Sequence, residues 1–250
     1  MTGDLVVLGG YGATGRIVAA ELAGRHPGRV VVAGRDLTRA RELADSLPGA
    51  VRARQVDVER PADVHGVIRT ARVAVMCVER ANVAVAKACL ERGVHYVDIS
   101  ATRSVVDGIE GLHRIARDHG ATAALSVGIA PGLTNLLARL CVQRLPDATE
   151  VDLTVLLGGA GDHGADSVRW TVTQLGVRPP AGRRRRVDLP GAGRRTAHPF
   201  PFSDQHTLTA ALGIQVTTRL CLDSRALTAT VFALRAAGFF AAARRLSATG

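Results

Sequence analysis

The chain has 250 residues, of which 47% are hydrophobic, 22% charged and only 3% aromatic. This length and composition indicate an aliphatic-rich α/β protein and exclude the disordered and fibrous classes. The formal net charge is +10, yet Lys87 is the single lysine among 32 basic residues, and the few aromatic residues are scattered. Because proteins that bind single-stranded nucleic acid usually interleave basic and aromatic side chains, we expect no nucleic-acid partner.

Cysteine usage and hydropathy indicate the cellular compartment of the protein. The four cysteines are Cys77, Cys89, Cys141 and Cys221. They show no C-x-x-C spacing and lie in apolar surroundings, so neither a disulfide framework nor a metal site is expected. No basic segment followed by an apolar leader opens the chain, and no apolar run reaches about 18 residues. We therefore expect a soluble cytoplasmic protein without a membrane partner.

Six apolar segments alternate with helical patterns through the first half of the chain. Strands are predicted at 4–9, 29–33, 51–58, 73–78, 95–99 and 121–127, and helices at 16–23, 37–46, 61–70, 81–92 and 106–119. Continuous aliphatic runs of this length are typical of strands buried on both faces of a parallel sheet. Right-handed crossovers would assemble them into a doubly wound parallel sheet, the α/β fold of the Rossmann type.

The regular alternation stops after Gly128, and the remaining residues read as a smaller α+β domain. Helices are predicted at 133–145, 165–175, 208–212 and 227–246, and strands at 151–157 and 214–222. The segment 178–201 carries five prolines and three glycines, which predicts a long loop. Its arginines, 183–186 and 194–195, are interpreted as solvated charges or as a means of capturing an acidic substrate. The predicted domains are thus 1–128 and 129–250.

A glycine-rich loop joins the first strand to the first helix. It comprises Gly10, Tyr11, Gly12, Ala13, Thr14 and Gly15, and its glycines satisfy G-x-G-x-x-G. In a strand–loop–helix context this spacing predicts a dinucleotide site: the glycines permit a tight turn, a close approach of the pyrophosphate and tight helix packing. The helix amino terminus would then meet the anion. A glycine turn without a ligand is the alternative.

The end of the second predicted strand selects the cofactor. NAD enzymes usually place a carboxylate there, whereas this chain has Arg35 followed by Asp36. A guanidinium favours the 2′-phosphate of NADP(H), although Asp36 could serve a ribose and Arg35 could be a solvated loop charge. Asp57 and Val58 close the third strand and are also assigned to the cofactor. Asp57 would cap the adenine amino group or simply cap the next helix.

Four segments together resemble the saccharopine dehydrogenase-like oxidoreductases: 8–15, 33–35, 86–100 and 128–135. The likeness is good over residues 4–140 and continues more faintly through 200–205. It implies hydride transfer between nicotinamide C4 and a carbon–nitrogen bond, typically an imine formed from an amino acid and a carbonyl compound. It also implies a second domain that covers the nicotinamide and commonly mediates dimerisation, hence a homodimer with a small-molecule substrate. Members usually have a longer carboxy-terminal domain.

Ligands of doubly wound sheets lie at the carboxyl ends of the strands. Cys77 and Val78 are therefore expected to line the cofactor by backbone and bulk, with Glu79 beside them. Asp98 is the candidate catalytic residue, for proton handling or imine orientation, and Ser100 is a candidate substrate ligand. The alternative for Asp98 is structural: it caps a turn or holds Tyr96 and Ser100 in place.

A turn at 128–135 leads into the first helix of the second domain. Pro131 suits the first helical turn, and the backbone N–H groups nearby could hold a substrate carboxylate. Gly132, Thr134 and Asn135 are assigned to substrate binding, although Thr134 and Asn135 could merely cap the helix.

These observations predict an NADP(H)-dependent oxidoreductase that reduces an imine or a related unsaturated bond. Reduction of C=C or C=O bonds and a non-catalytic NADP-binding regulator are the alternatives. Because the cofactor carries the hydride chemistry, the residues alone do not choose among them.

Overall fold

The computed structural model describes residues 3–158, 165–178, 180 and 182–247. The chain divides into two compact units, Met1–Gly128 and Ile129–Gly250. None of the helices within the described ranges is long and apolar enough to cross a bilayer.

The first unit is built on a six-stranded parallel sheet, as the alternation of apolar segments predicts. Its strands are β1 (Asp4–Leu8), β2 (Val30–Gly34), β3 (Arg52–Gln55), β4 (Ala71–Met76), β5 (His95–Asp98) and β6 (Ala123–Ala124). Their order is β3-β2-β1-β4-β5-β6, and all neighbours are parallel. The Rossmann prediction is confirmed. The strand order reverses between β1 and β4, which is where such sheets form their ligand crevice.

Helices cover both faces of this sheet. They are α1 (Ala13–Arg25), α2 (Leu37–Ser46), α3 (Pro61–Ile68), α4 (Asn82–Leu90), α5 (Arg103–Glu110) and α6 (His113–Asp118). One apolar cluster contains Val6, Leu8 and Met76, and the other contains Leu5, Val7 and Val32, so successive β1 side chains enter opposite cores. The single helix predicted at 106–119 is wrong, because Gly111, a poor helix former, separates two shorter helices.

The second unit contains a four-stranded mixed sheet. Its strands are β7 (Glu150–Leu157), β8 (Arg185–Leu189), β9 (Gly193–Pro199) and β10 (Gln215–Leu222), in the order β7-β10-β9-β8. Strand β10 runs parallel to β7 and antiparallel to β9. The helices are α7 (Thr134–Arg144), α8 (Ala165–Leu175), α9 (Asp204–Leu212), α10 (Arg225–Ala236) and α11 (Phe239–Ser247). An aromatic cluster of Phe200, Phe202 and Phe232 forms part of its core.

The long loop predicted at 178–201 is wrong, because most of that segment is the β8–β9 hairpin. Gly191 and Gly193 have φ of +73° and +69° and form the turn between the two strands. The glycines on which the loop prediction rested are thus those of a hairpin turn. Arg185 donates to Asp152 on β7 at 2.7 Å, and Arg194 pairs with Asp188 across the hairpin at 3.2 Å. These arginines lie on the hairpin, whose strand β8 forms an edge of the sheet. Charged side chains at a sheet edge discourage pairing with a further strand.

Candidate cofactor and active site

The loop between β1 and α1 is packed so tightly that position 15 must be glycine. Gly12 is the N-cap of α1, and its N–H donates to the carbonyl oxygen of Gly9 at 3.0 Å. A Cβ on Gly15 would lie 2.2 Å from the same oxygen, which no side chain tolerates. The first turn of α1 carries no acidic residue, and no side chain caps it. The helix therefore presents backbone N–H groups that an anionic pyrophosphate can bind.

Gly9 belongs to this site although its place before the G-x-G-x-x-G motif gave no reason to single it out. Its φ is +75°, and a Cβ on it would lie 2.4 Å from Cγ1 of Val78. The glycine loop thus packs directly against the turn that follows β4. Two of the predicted cofactor-lining segments, 10–15 and 77–78, are brought together.

Tyr11 connects the glycine loop to the end of β2. Its hydroxyl accepts a hydrogen bond from the N–H of Asp36 at 3.0 Å, and its ring lies so close to Gly34 that a Cβ there would be 2.4 Å from Cε1. The guanidinium of Arg39 lies over the ring, 4.7 Å from its centroid. The Asp36 carboxylate accepts from the N–H of Arg39 at 3.1 Å and caps α2, a role that competes with binding a ribose.

Arg35 lines a surface cleft together with the ends of β3 and the start of α3. The lining residues are Arg35, Gln55, Asp57, Arg60 and Asp63. Gln55 Nε2 donates to the carbonyl oxygen of Arg35 at 3.0 Å and fixes the end of β2. Two exposed guanidiniums, those of Arg35 and Arg60, thus share one cleft. Such a pair is suited to a phosphate group.

Asp57 and Val58 follow β3 at the same cleft. Asp57 Oδ1 accepts from the N–H of Glu59 at 3.1 Å, and the N–H of Asp57 donates to Asp63 at 3.0 Å. The Asp57 carboxylate therefore stabilises the turn into α3, although the N-cap of that helix is Arg60. Val58 packs against the apolar core.

Asp98 lies at the end of β5 and is only 1% exposed. One carboxylate oxygen accepts from the Tyr96 hydroxyl at 2.7 Å and from Asn82 Nδ2 at 2.9 Å, and the other accepts from the N–H of Ser100. Burial, and secondarily the Asp98 charge, raise the pKa of Tyr96, so its hydroxyl keeps the proton that it donates. These contacts are those of the structural alternative for Asp98. Its catalytic role stays a prediction.

Asn82 donates to the same carboxylate, whose charge also acts on Cys77. Asn82 also donates to the carbonyl oxygen of Val78 at 3.2 Å, so it ties the turn after β4 to Asp98. Burial, with a smaller contribution from Asp98, raises the pKa of Cys77 to about 12. Its thiol therefore stays protonated at neutral pH, as expected for a residue that lines a site by bulk.

Ser100 follows β5 and is fixed by hydrogen bonds with Glu79 and Ser126. Its hydroxyl donates to Glu79 Oε2 at 2.7 Å, and its carbonyl oxygen accepts from the Ser126 hydroxyl at 3.0 Å. The Thr102 hydroxyl donates to the other Glu79 oxygen at 2.5 Å. A carboxylate and two hydroxyls thus converge at the carboxyl ends of β4 and β5.

The predicted substrate residues of the second unit lie on a turn before α7. Gly132 has φ of +129°, and Pro131 precedes the helix in extended backbone, so its placement in the first helical turn is wrong. The Thr134 hydroxyl donates to Asp204 at 2.9 Å. Asn135 Oδ1 is buried and has no hydrogen-bond partner among the described residues. Neither side chain caps α7, because the N-cap is Leu133 without a side-chain bond.

The family of the first unit is given by its sequence. Residues 5–124 match the family model described as the saccharopine dehydrogenase NADP binding domain. This match covers nearly the whole of the first unit, which is therefore similar to saccharopine dehydrogenase NADP-binding domains. A search of curated proteins finds no significant relative of the chain.

Solved structures extend the comparison to the fold of the chain. The apo saccharopine dehydrogenase (L-Glu forming) of Saccharomyces cerevisiae matches with a TM-score of 0.67 and 16% identity. The match covers 87% of this chain but only 54% of the yeast enzyme, so this chain spans about half its length.

Two further solved structures match more weakly. UDP-N-acetylglucosamine 3-dehydrogenase of Acidithiobacillus ferrooxidans has a TM-score of 0.48 and 16% identity over 88% of this chain and 69% of its own. Biliverdin reductase of Synechocystis, solved with biliverdin and NADP+, has a TM-score of 0.45 and 14% identity over 88% and 71%. Scores below 0.5 do not establish a shared fold.

The residues of the first unit fit NADP(H), the cofactor named in the matching family model. The crowded glycine loop leaves no room for a Cβ at Gly15, and α1 offers uncapped N–H groups to the pyrophosphate. The cleft with Arg35 and Arg60 suits a 2′-phosphate. Within the described residues, no group of three or more His, Cys, Asp or Glu side chains could hold a metal ion.

The sequence did not reveal every residue of this site. Asn82, Thr102 and Ser126 carry no local motif, and Arg60 is one arginine of many. Their signal is positional, because each follows closely on a strand whose carboxyl end faces the crevice.

Proposed function

We propose that the protein is an NADP(H)-dependent oxidoreductase that reduces an imine, or a related unsaturated carbon–nitrogen bond, in an amino-acid-like or specialised metabolite. The match of residues 5–124 to the NADP-binding domain of an oxidoreductase family supports the redox class. The observation that carries the proposal is the cluster of Glu79, Ser100 and Thr102 at the ends of β4 and β5. A nicotinamide bound in the manner of doubly wound sheets would lie beside these strand ends.

The proposed cofactor contacts lie in the segments that follow β1, β2, β3 and β4. The loop 10–15 binds the pyrophosphate, Arg35 the 2′-phosphate, and Asp57 with Val58 borders the adenine. Cys77 and Val78 line the nicotinamide side. When bound, the cofactor supplies the hydride at its nicotinamide C4, while the protein orients the substrate and excludes water.

The proposed substrate contacts lie at the strand ends and on the turn before α7. Ser100 would orient the substrate, and Asp98 is proposed to handle a proton or orient the imine. Its hydrogen bonds with the Tyr96 hydroxyl and the Ser100 N–H support the alternative that it holds Ser100 in place. Gly132, Thr134 and Asn135 are proposed to bind a substrate carboxylate. Thr134 would then exchange its bond to Asp204 for one to the ligand.

A homodimer and a cytoplasmic location are part of the same proposal. Several leucines of the second unit are exposed on one side of α7, which supports a contact with a second copy. The four cysteines are free, which supports a reducing compartment.

A spectrophotometric screen tests the reaction. NADPH oxidation is followed with pairs of aldehydes and amines, with each aldehyde alone, and with enones as C=C substrates. Turnover only when both an aldehyde and an amine are present supports imine reduction. Turnover with aldehydes or enones alone would instead establish C=O or C=C reduction, and NADPH binding without any turnover would favour a regulator.

A further inference from the structure

Glu79 lies in the turn after β4, where the fold is expected to place the nicotinamide half of the cofactor. It directly follows Val78, and Val78 lies against Gly9 of the glycine loop. In a doubly wound sheet one half of the strands serves each nucleotide of the cofactor. Since the phosphate loop follows β1 and Arg35 follows β2, the turn after β4 is on the side where the nicotinamide half belongs.

Two carboxylates follow the strands of this half, and their surroundings differ. Among the described residues at the ends of β4, β5 and β6, they are Glu79 and Asp98. Asp98 is 1% exposed and accepts from three donors, so it is committed to the interior. Glu79 is exposed, and its two oxygens are oriented by the Ser100 and Thr102 hydroxyls. Glu79 is therefore the carboxylate that a substrate can reach.

The negative charge of Glu79 is not neutralised by an ion pair with any residue that the structure describes. The neighbouring arginines pair elsewhere: Arg80 with Glu59 at 3.5 Å, and Arg103 with Asp107 at 3.2 Å. In a chain with a net charge of +10, this leaves a fixed carboxylate at the proposed reaction site. A ligand with positive charge would complement it.

We propose that Glu79 is a catalytic residue that binds the cationic nitrogen of the substrate and restricts the enzyme to protonated imines and their amine products. This inference rests on the proposed function. An opposite charge nearby keeps an imine nitrogen protonated, and an iminium carbon accepts hydride more readily than a neutral imine.

The reaction balances without another reactant. The hydride leaves nicotinamide C4 with two electrons and bonds to the iminium carbon, and the C=N π pair moves onto nitrogen. NADPH becomes NADP+, and the iminium becomes a neutral amine that takes its next proton from solvent. Glu79 accepts the N–H hydrogen bond throughout, and Ser100 and Thr102 act as positioning residues for its carboxylate.

Binding measurements test the cation site without requiring turnover. Pyrrolidine, which is protonated at neutral pH, and tetrahydrofuran, its uncharged analogue, are titrated into the NADP+ complex by calorimetry. We expect wild type to bind pyrrolidinium at least about tenfold more tightly than tetrahydrofuran, and Glu79→Gln to abolish that preference. Glu110→Gln, an exposed carboxylate on α5, is the matched control and should behave as wild type. Equal affinity of wild type for both probes would overturn the proposal.

Kinetics with the cyclic imine 2-methyl-1-pyrroline supply a second readout. We expect Glu79→Gln to lower kcat/KM about 100-fold and to shift the alkaline limb of the kcat–pH profile, which reports the bound imine, to lower pH, with partial recovery in Glu79→Asp. An unmoved alkaline limb would contradict the role of Glu79. If wild type binds pyrrolidinium but turns over no imine, the proposed reaction fails while the cation site stands. NADP+ affinity should be unchanged in every variant, which separates both results from a loss of cofactor binding.

Discussion

Arg35 is the side chain whose removal tests cofactor choice most directly, because it lies in the cleft shared with Arg60. We expect Arg35→Ala to weaken NADP+ binding about tenfold and to leave NAD+ binding nearly unchanged, since only NADP+ carries the 2′-phosphate. Calorimetric titration of both cofactors gives the two affinities. Arg25→Ala, at the far end of α1 and paired with Glu21, is the control. Equal NADP+ affinity in wild type and Arg35→Ala would remove the assignment.

Asp98 is expected to matter for stability, because its buried charge accepts three hydrogen bonds. In Asp98→Asn an amide replaces one acceptor oxygen, and at least one buried donor loses its partner. We expect the free energy of unfolding to fall by about 1–3 kcal/mol. Urea denaturation of this variant beside Asp107→Asn, whose carboxylate is exposed, measures the difference. Normal stability with abolished turnover would instead support the direct catalytic role.

Asp204 should make the stability of the protein depend on pH. Burial raises its pKa, and the hydrogen bond from Thr134 only partly offsets that effect. A raised pKa means that the stabilising protonated form persists at low pH and is lost as pH rises through the folded-state value. Asp204→Asn cannot ionise, so its Tm relative to wild type should increase between pH 4 and pH 7. A constant difference in Tm across that range would contradict the raised pKa.

At the scale of elements, the strands of the first unit could be predicted because each is a short aliphatic run that must be buried on both faces. The β8–β9 hairpin could not be predicted, because its prolines and glycines indicate a loop. The ion pairs of Arg185 with Asp152 and of Arg194 with Asp188 exist only in the folded sheet. Gly238, with φ of +80°, likewise ends α10 where the apolar pattern continues. Local patterns identify elements, whereas tertiary contacts decide such exceptions.

The candidate site shows the same division. The glycine loop and Arg35 are local motifs at fixed spacing, so the sequence alone identifies them. The contacts between Asn82 and Asp98 and between Glu79 and Ser100 join residues 16 and 21 positions apart. They exist because β4 and β5 are neighbours in register, which no local pattern specifies.

Two glycines of α1 provide a matched test of the loop-to-helix packing. Gly15→Ala would place a Cβ 2.2 Å from a backbone oxygen, whereas Gly24→Ala would meet nothing within 4 Å. We expect Gly15→Ala to destabilise the fold by about 1–3 kcal/mol and to impair NADP+ binding. Gly24→Ala should stabilise it by about 0.5–1 kcal/mol through helix propensity. Thermal unfolding of both variants checks the pair, and equal effects would refute the packing argument.

At the scale of the whole molecule, the second unit leaves one helix with apolar residues on opposite sides. Ala138 of α7 is buried and packs with Leu208 and Val216, whereas Leu136, Leu137 and Leu140 are 68%, 50% and 41% exposed. A helix with two apolar sides normally has a partner on each. The exposed side of α7 is therefore the surface that the proposed homodimer would bury.

Leu136→Glu tests that contact, because a charge at an isologous interface appears twice and must be desolvated in both copies. We expect wild type to elute as a dimer in size-exclusion chromatography with light scattering, and Leu136→Glu to be a monomer at micromolar concentration with unchanged NADP+ affinity. Leu234→Glu, on α10 and 40% exposed, controls for the loss of a surface leucine and should stay dimeric. A Leu136→Glu protein that remains a dimer would exclude α7 as the interface, and a monomeric wild type would exclude the homodimer itself.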